Sequence, residues 1–185
     1  MNEKYLMRKI EEAKANETFE EREKEKELAP LHMKKSAADM LSARVEKLML
    51  KDENIRKNTI IEEYNSWDWV ITKSYYAMYH SVLALLARLG VRTKTHFITL
   101  VAFELFFVKK NMVNEKYLGI FNKVKESAKI PGAYLDEIKE VKEKRFAANY
   151  DVEASIKEKE AEVCIMYAEN FIKEMGKVFA MLEEA

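Results

Sequence analysis

One cysteine, two prolines and four glycines occur in the 185 residues of this chain. Each shortage excludes something. A single thiol, Cys164, leaves no internal disulfide and no cysteine-rich zinc site. Sandwiches and barrels need frequent turn residues and alternating strands, and neither is here. Neither sign of charge dominates: 32 basic and 32 acidic side chains give a formal net charge of zero. Proteins that grip duplex nucleic acid without sequence preference carry a basic excess, so any nucleic-acid contact must be local. The longest greasy stretch, FITLVAFELFFV at 97–108, is interrupted by Glu104 and is too short to span a bilayer. The opening MNEKYLMRKIEE is charged throughout and has no signal-peptide apolar region. The expectation is a reducing, cytoplasmic protein with no membrane association.

Catalytic signatures are also missing. No glycine-rich phosphate loop, no His-Glu-x-x-His helix and no Gly-x-Ser-x-Gly turn occurs. The three histidines, His32, His80 and His96, are far apart and lack metal-ligand spacing. No metal and no cofactor is expected. Cys164, on an apolar helix face, reads as a small buried hydrophobe rather than a nucleophile.

What is present is helical periodicity. Hydrophobic residues make up 48% and charged residues 35%, enough for one domain with a substantial core. Residues 1–30 form a charge-dense N-terminal arm, a solvated or partly frayed helix that Pro30 ends. The bundle proper occupies 31–185. Within it, residues 33–50 place Met33, Ala37, Met40 or Leu41, Val45, Leu48 and Met49 on one helix face. From about Ser66 to Leu89 apolar and aromatic residues occupy nearly every side, so this helix is surrounded by others. Gly90 is placed to end it.

A second greasy helix follows from about Thr95 to Lys110, and another covers 114–127. Pro131-Gly132 opens a helix over 133–148, and Ser155 with Glu158 reads as a capping box before a last helix from 156 to about 183. The fold predicted is all-α: an antiparallel up-and-down helical bundle of about five principal helices with an N-terminal helical extension and no sheet. The face of the 95–110 helix predicts a homodimer, because a large apolar patch is rare on a soluble monomer.

Two polar features stand out against this core. Asp68, Thr72, Tyr76 and His80 follow at four-residue steps and form a polar seam along the greasiest helix. Internal hydrogen bonding accounts for Asp68 and Thr72 better than ligand binding does, and for Tyr76 and His80 equally well. The second feature is KRFAANYD at 144–151. Arg145 falls four residues after Val141, where the stripe Leu135, Ile138, Val141 calls for a core residue. Its guanidinium either pairs with a carboxylate such as Glu104 or offers a fork of donors to a phosphate, with Ala147 and Ala148 keeping the approach open.

SYYAMYHSVLALLARLG, the downstream Thr95-His96-Phe97 and KRFAANYD before a long last helix together resemble the HEPN family (higher eukaryotes and prokaryotes nucleotide-binding), in its branch of small stand-alone prokaryotic members. The likeness runs from about residue 33 to 183. It implies an often dimeric helical bundle, in many members a ribonuclease toxin encoded beside a nucleotidyltransferase antitoxin. Arg145 matches the Arg of the family's Arg-x(4–6)-His signature. No His follows it; Asn149 and Tyr150 stand in that place.

The departure has a chemical consequence. Metal-independent RNA cleavage needs a base for the 2′-hydroxyl and a donor for the leaving oxygen, and imidazole suits both. A Tyr with a pKa near ~10 is a poor base, and Asn is none. The candidate ligand-binding residues are therefore Arg145, Asn149, Tyr150, Tyr76, His80 and His96. Arg145, Tyr150 and His80 would serve catalysis if any occurs. Three functions compete: a nucleotide- or RNA-binding protein working with a nucleotidyltransferase, a metal-independent ribonuclease toxin, and a non-catalytic structural dimer or interaction module.

Overall fold

The computed structural model describes residues 1–58, 66–129 and 158–184. Its elements are helices: α1 (Glu3–Ala15), α2 (Ala29–Lys51), α3 (Glu53–Asn58), α4 (Trp67–Arg88), α5 (His96–Phe103), α6 (Lys116–Ser127) and α7 (Glu158–Glu183). The predicted helix over 133–148 and the capping serine at 155 lie outside the described residues.

The centre of the bundle is α4. Twelve of its 22 residues are buried, as an all-round apolar helix requires. It packs chiefly against α2 and α7, with α6 and α5 completing the enclosure. Ser36 lets α2 approach closely: its hydroxyl donates to the Ala77 carbonyl at 2.7 Å in the buried interface. Phe103, Phe121 and Phe171 meet where α5, α6 and α7 converge, with ring centroids 5.6–6.0 Å apart. The α2–α7 seam is closed at the surface by ion pairs of Arg44 to Glu169 and Lys51 to Glu158, both 2.8 Å. In high dielectric such pairs fix register more than they stabilise.

Residues 1–30 are more ordered than a frayed arm. Helix α1 is capped by Asn2, whose side chain accepts from the Lys4 amide at 3.0 Å. Leu6, Ile10 and Ala13, spaced by four and three, are buried while the charges between them stay in water. Pro30 does not end a helix; it sits in the first turn of α2, where its missing N–H costs nothing.

The expectation of no sheet needs one correction. A two-stranded antiparallel ladder joins β1 (Phe19–Glu21) to β2 (Val91–Thr93), with Phe19 opposite Thr93. Gly90 makes it possible. At φ 75° it reverses the chain after α4, and its carbonyl accepts from the Arg22 amide at 2.7 Å, which aligns the strands.

Two faces also differ from the sequence reading. On α2 the buried side is Ala29, Ser36, Asp39, Met40, Ala43 and Leu50. Of the alternatives Met40 and Leu41, Met40 is the core residue, whereas Leu41, Val45, Leu48 and Met49 are exposed. The second difference concerns the 95–110 segment. It forms α5 and then a π-helical turn, Glu104–Val108, and Ile98, Val101, Phe103, Leu105, Phe107 and Val108 are all buried within the monomer. Helix α1 covers part of this face. The apolar patch that argued for a second copy there does not exist.

Glu104, a sequence candidate for the counter-charge of Arg145, is 1% exposed in that π-helical turn. Its carboxylate meets the Met1 amino group and, at 3.6 Å, the Lys109 ammonium. No described helix is long and apolar enough to cross a membrane.

Candidate functional site

Residues 75, 76, 79 and 80 of α4 carry three tyrosines and a histidine on adjacent turns, and they feed two polar clusters. The first lies at the start of α5. Thr95 caps that helix by accepting from the Ile98 amide at 3.2 Å, which fixes His96 as its first residue. The His96 ring then stacks on Tyr79 with centroids 4.2 Å apart and planes at 14°. Its Nδ1 shares a hydrogen bond of 2.5 Å with the Tyr75 hydroxyl. Tyr76 meets the same imidazole edge-on at 6.2 Å. Burial pushes the Tyr75 and Tyr79 pKa values up, so both stay phenols at any physiological pH. The cluster continues through Tyr79 to Thr99 and from there to Thr93 on β2.

The second cluster lies between α4 and α2, around Asp39, a carboxylate only 2% exposed. Its Oδ1 accepts from both Lys35 and Lys73 at 3.3 Å. Its Oδ2 faces His80 Nε2 at 3.7 Å, too far for a hydrogen bond. That oxygen and His80 Nδ1 are buried and have no hydrogen-bond partner among the described residues. His32, one turn before the lysine on α2, stacks on His80 with centroids 5.9 Å apart and planes at 20°.

Burial lowers the His80 pKa, opposed by Asp39 and reinforced by His32 and the two lysines. Burial likewise lowers that of His32, opposed by Glu25. Two neutral imidazoles thus lie side by side, next to two ammonium groups that share one carboxylate. The two ammonium groups are matched by two carboxylates, Asp39 and the Glu25 that acts on His32, so the cluster as a whole carries no excess charge.

The structure therefore divides the sequence-predicted seam. Tyr76 turns toward His96, whereas His80 turns toward α2; Asp68 is exposed and joins neither. Arg145, Asn149 and Tyr150 lie outside the described residues, so their distance from either cluster is not part of this geometry. Asp39, Lys35, Lys73, His32, Tyr75 and Tyr79 escaped the sequence reading. A signal for Asp39 existed: it falls in the core register of α2, beside Met40 and three residues after Ser36. An acid in a core position demands partners, the same argument that singled out Arg145.

Among the described residues no group of three or more His, Cys, Asp or Glu side chains is placed to hold a metal ion. A separate cavity of about 460 Å³ between α6 and α7 is lined by residues including Ser127, Lys159, Cys164 and Tyr167. Burial pushes the Cys164 thiol up to about 11, so it is protonated and inert at neutral pH.

The model of the HEPN domain matches residues 52–178, and the chain belongs to that family. No curated protein and no solved structure matches it at a significant level.

Proposed function

We propose that this HEPN-family protein binds the phosphate groups of a nucleotide or RNA along the polar face of α4, between α2 and the start of α5. The observation that supports this reading best is the pair of ammonium groups, Lys35 and Lys73, held on the buried Asp39. Lys35 and Lys73 each spend one donor on the buried carboxylate, which holds them in place and leaves their remaining N–H groups for an anion. His80 and His32 line the same spot. On the other side of α4, Tyr76 and the His96–Tyr79 stack offer aromatic surface of the kind on which bases stack. Arg145, Asn149 and Tyr150 enter the proposal from the sequence, Arg145 as a bidentate phosphate ligand and Tyr150 as a stacking or hydrogen-bonding group.

Family resemblance extends the reading to a cytoplasmic homodimer working with a nucleotidyltransferase antitoxin. In it, residues 1–30 are an extension laid against a bundle formed by 31–185.

Affinity for a short labelled single-stranded RNA and for a nucleotide tests the site. Lys35→Ala with Lys73→Ala is expected to weaken binding and to flatten its salt dependence. Arg145→Ala is expected to abolish binding with little change in melting temperature. A large stability loss in Arg145→Ala with unchanged affinity would mean a structural arginine and would sink its role as a ligand. Unchanged affinity in the folded double lysine variant would sink the α2–α4 site.

A second reading, metal-independent ribonuclease, is favoured by one observation: the paired imidazoles of His32 and His80. Transfer to the 2′-oxygen needs one group to take the hydroxyl proton and one to supply a proton to the leaving 5′-oxygen. Two adjacent histidines could divide those roles without a histidine after Arg145, the neutral ring as base and the other as acid once a bound phosphate anion favours its protonation. Cleavage of RNA but not of its 2′-deoxy analogue, lost in His80→Gln, would establish it.

A further inference from the structure

The outer face of α2 carries an apolar stripe with no covering element among the described residues. Leu41, Val45 and Leu48 are 60%, 44% and 66% exposed, and Ala38 is exposed one turn earlier. They point away from the buried face of the same helix, which carries Met40 and Ala43. Their spacing is a heptad: positions 38 and 45 are of one type, 41 and 48 of the other, and the pattern extends to Lys34 and Asp52. The spacing of three and four residues is the pattern of a helix that pairs with another helix along its length. Yet the described helices of the chain pack on the opposite side.

We infer that this stripe docks on the same stripe of a second copy of the chain, the two α2 helices running antiparallel about a two-fold axis. The sequence is self-complementary under that reversal. Pairing each residue i with residue 86 − i sets Leu41 against Val45, the small Ala38 against the large Leu48, and Lys34 against Asp52. Antiparallel coiled coils pair the two heptad types with each other, and every one of these pairs obeys that rule. The ends supply the charge argument: Lys34 has no ion-pair partner among the described residues, and Asp52 is exposed at the C-terminus of α2. A parallel pairing would instead place Lys34 against Lys34 and Asp52 against Asp52. The two-fold arrangement makes the contact isologous and closed, so it ends at a dimer.

This rests on the homodimer in the reading above and replaces the α5 face as its surface; it is independent of the ligand. Light scattering on the full chain over a concentration series tests it. The wild type is expected at dimer mass, and Leu41→Glu with Leu48→Glu at monomer mass with unchanged helical circular dichroism. Met181→Glu, at a 62% exposed position on α7, is the control and stays dimeric. Lys34→Glu is expected to weaken the dimer. Adding Asp52→Asn, which keeps the oxygen that caps α3, is expected to recover part of the loss. A monomeric wild type overturns the homodimer altogether. A wild-type dimer that survives Leu41→Glu with Leu48→Glu overturns only this surface.

Discussion

The Tyr75 hydroxyl and His96 Nδ1 share a hydrogen bond across the junction of α4 and α5, with the Tyr75 ring fully buried. The His96 ring also stacks on Tyr75 and Tyr79 and meets Tyr76 edge-on. Tyr75→Phe keeps the ring and deletes the bond. The expected cost is about 1–2 kcal/mol, that of a buried hydrogen bond lost. Denaturant unfolding at unchanged m value checks it; no change in midpoint would mean that water replaces the phenol.

Gly90 gives a backbone prediction. Its φ of 75° is a left-handed conformation that an L side chain resists by about 1–2 kcal/mol. An added Cβ would also lie 3.3 Å from the Arg22 carbonyl oxygen. Gly90→Ala is expected to lower stability by at least that amount and to loosen the β1–β2 ladder. Amide exchange at Arg22, whose N–H donates to the Gly90 carbonyl, reports the second effect directly.

Helix α2 separates its two apolar faces energetically. Met40 is 6% exposed and Leu41 60%, though they are neighbours. Met40→Ala is expected to cost roughly 2–5 kcal/mol, as large-to-small core changes do. Leu41→Ala, measured where the chain is monomeric, should stay within about 0.5 kcal/mol of wild type. Equal costs would mean that the helix is rotated from the position described.

That pair also shows what was legible in the sequence. Periodicity located α2, α4, α6 and the last helix, because a helix's apolar spacing is a local property. It could not choose between Met40 and Leu41, since a helix with two apolar faces has no unique inside until its neighbours are known. The same limit explains α5. Its residues were correctly read as apolar on all sides, but that α1 would cover them depends on contacts about a hundred positions apart in sequence. The polar site was partly legible: Tyr76, His80 and His96 were named, and each contacts a polar or aromatic partner. Asp39 and its lysines were missed because charged residues on a helix usually belong to its solvated face. Only the third dimension shows that Asp39 is turned inward.

The His32–His80 pair predicts how stability changes with pH. Both rings have pKa values lowered from the ordinary 6.5, chiefly by burial. The groups that face them are Asp39 and Glu25, which favour protonation, and Lys35 and Lys73, which oppose it; Tyr79 stays neutral beside them. With a lowered folded pKa, the unfolded chain binds more protons than the folded one, so stability rises with pH through this window. It is unaffected well above 6.5, where both states are neutral, and falls as pH drops from 6.5 toward the folded values. The slope is at most about 1.4 kcal/mol per pH unit for each imidazole. Glu12, Glu20 and Glu162, held below 4.5 by neighbouring lysines, contribute little there. Denaturation midpoints at pH 7.5 and 5.5 are therefore expected to differ clearly in the wild type. His32→Gln with His80→Gln should shrink that difference, since glutamine does not titrate. An equal drop in both proteins would place the pH dependence elsewhere and remove the buried neutral histidine pair as its cause.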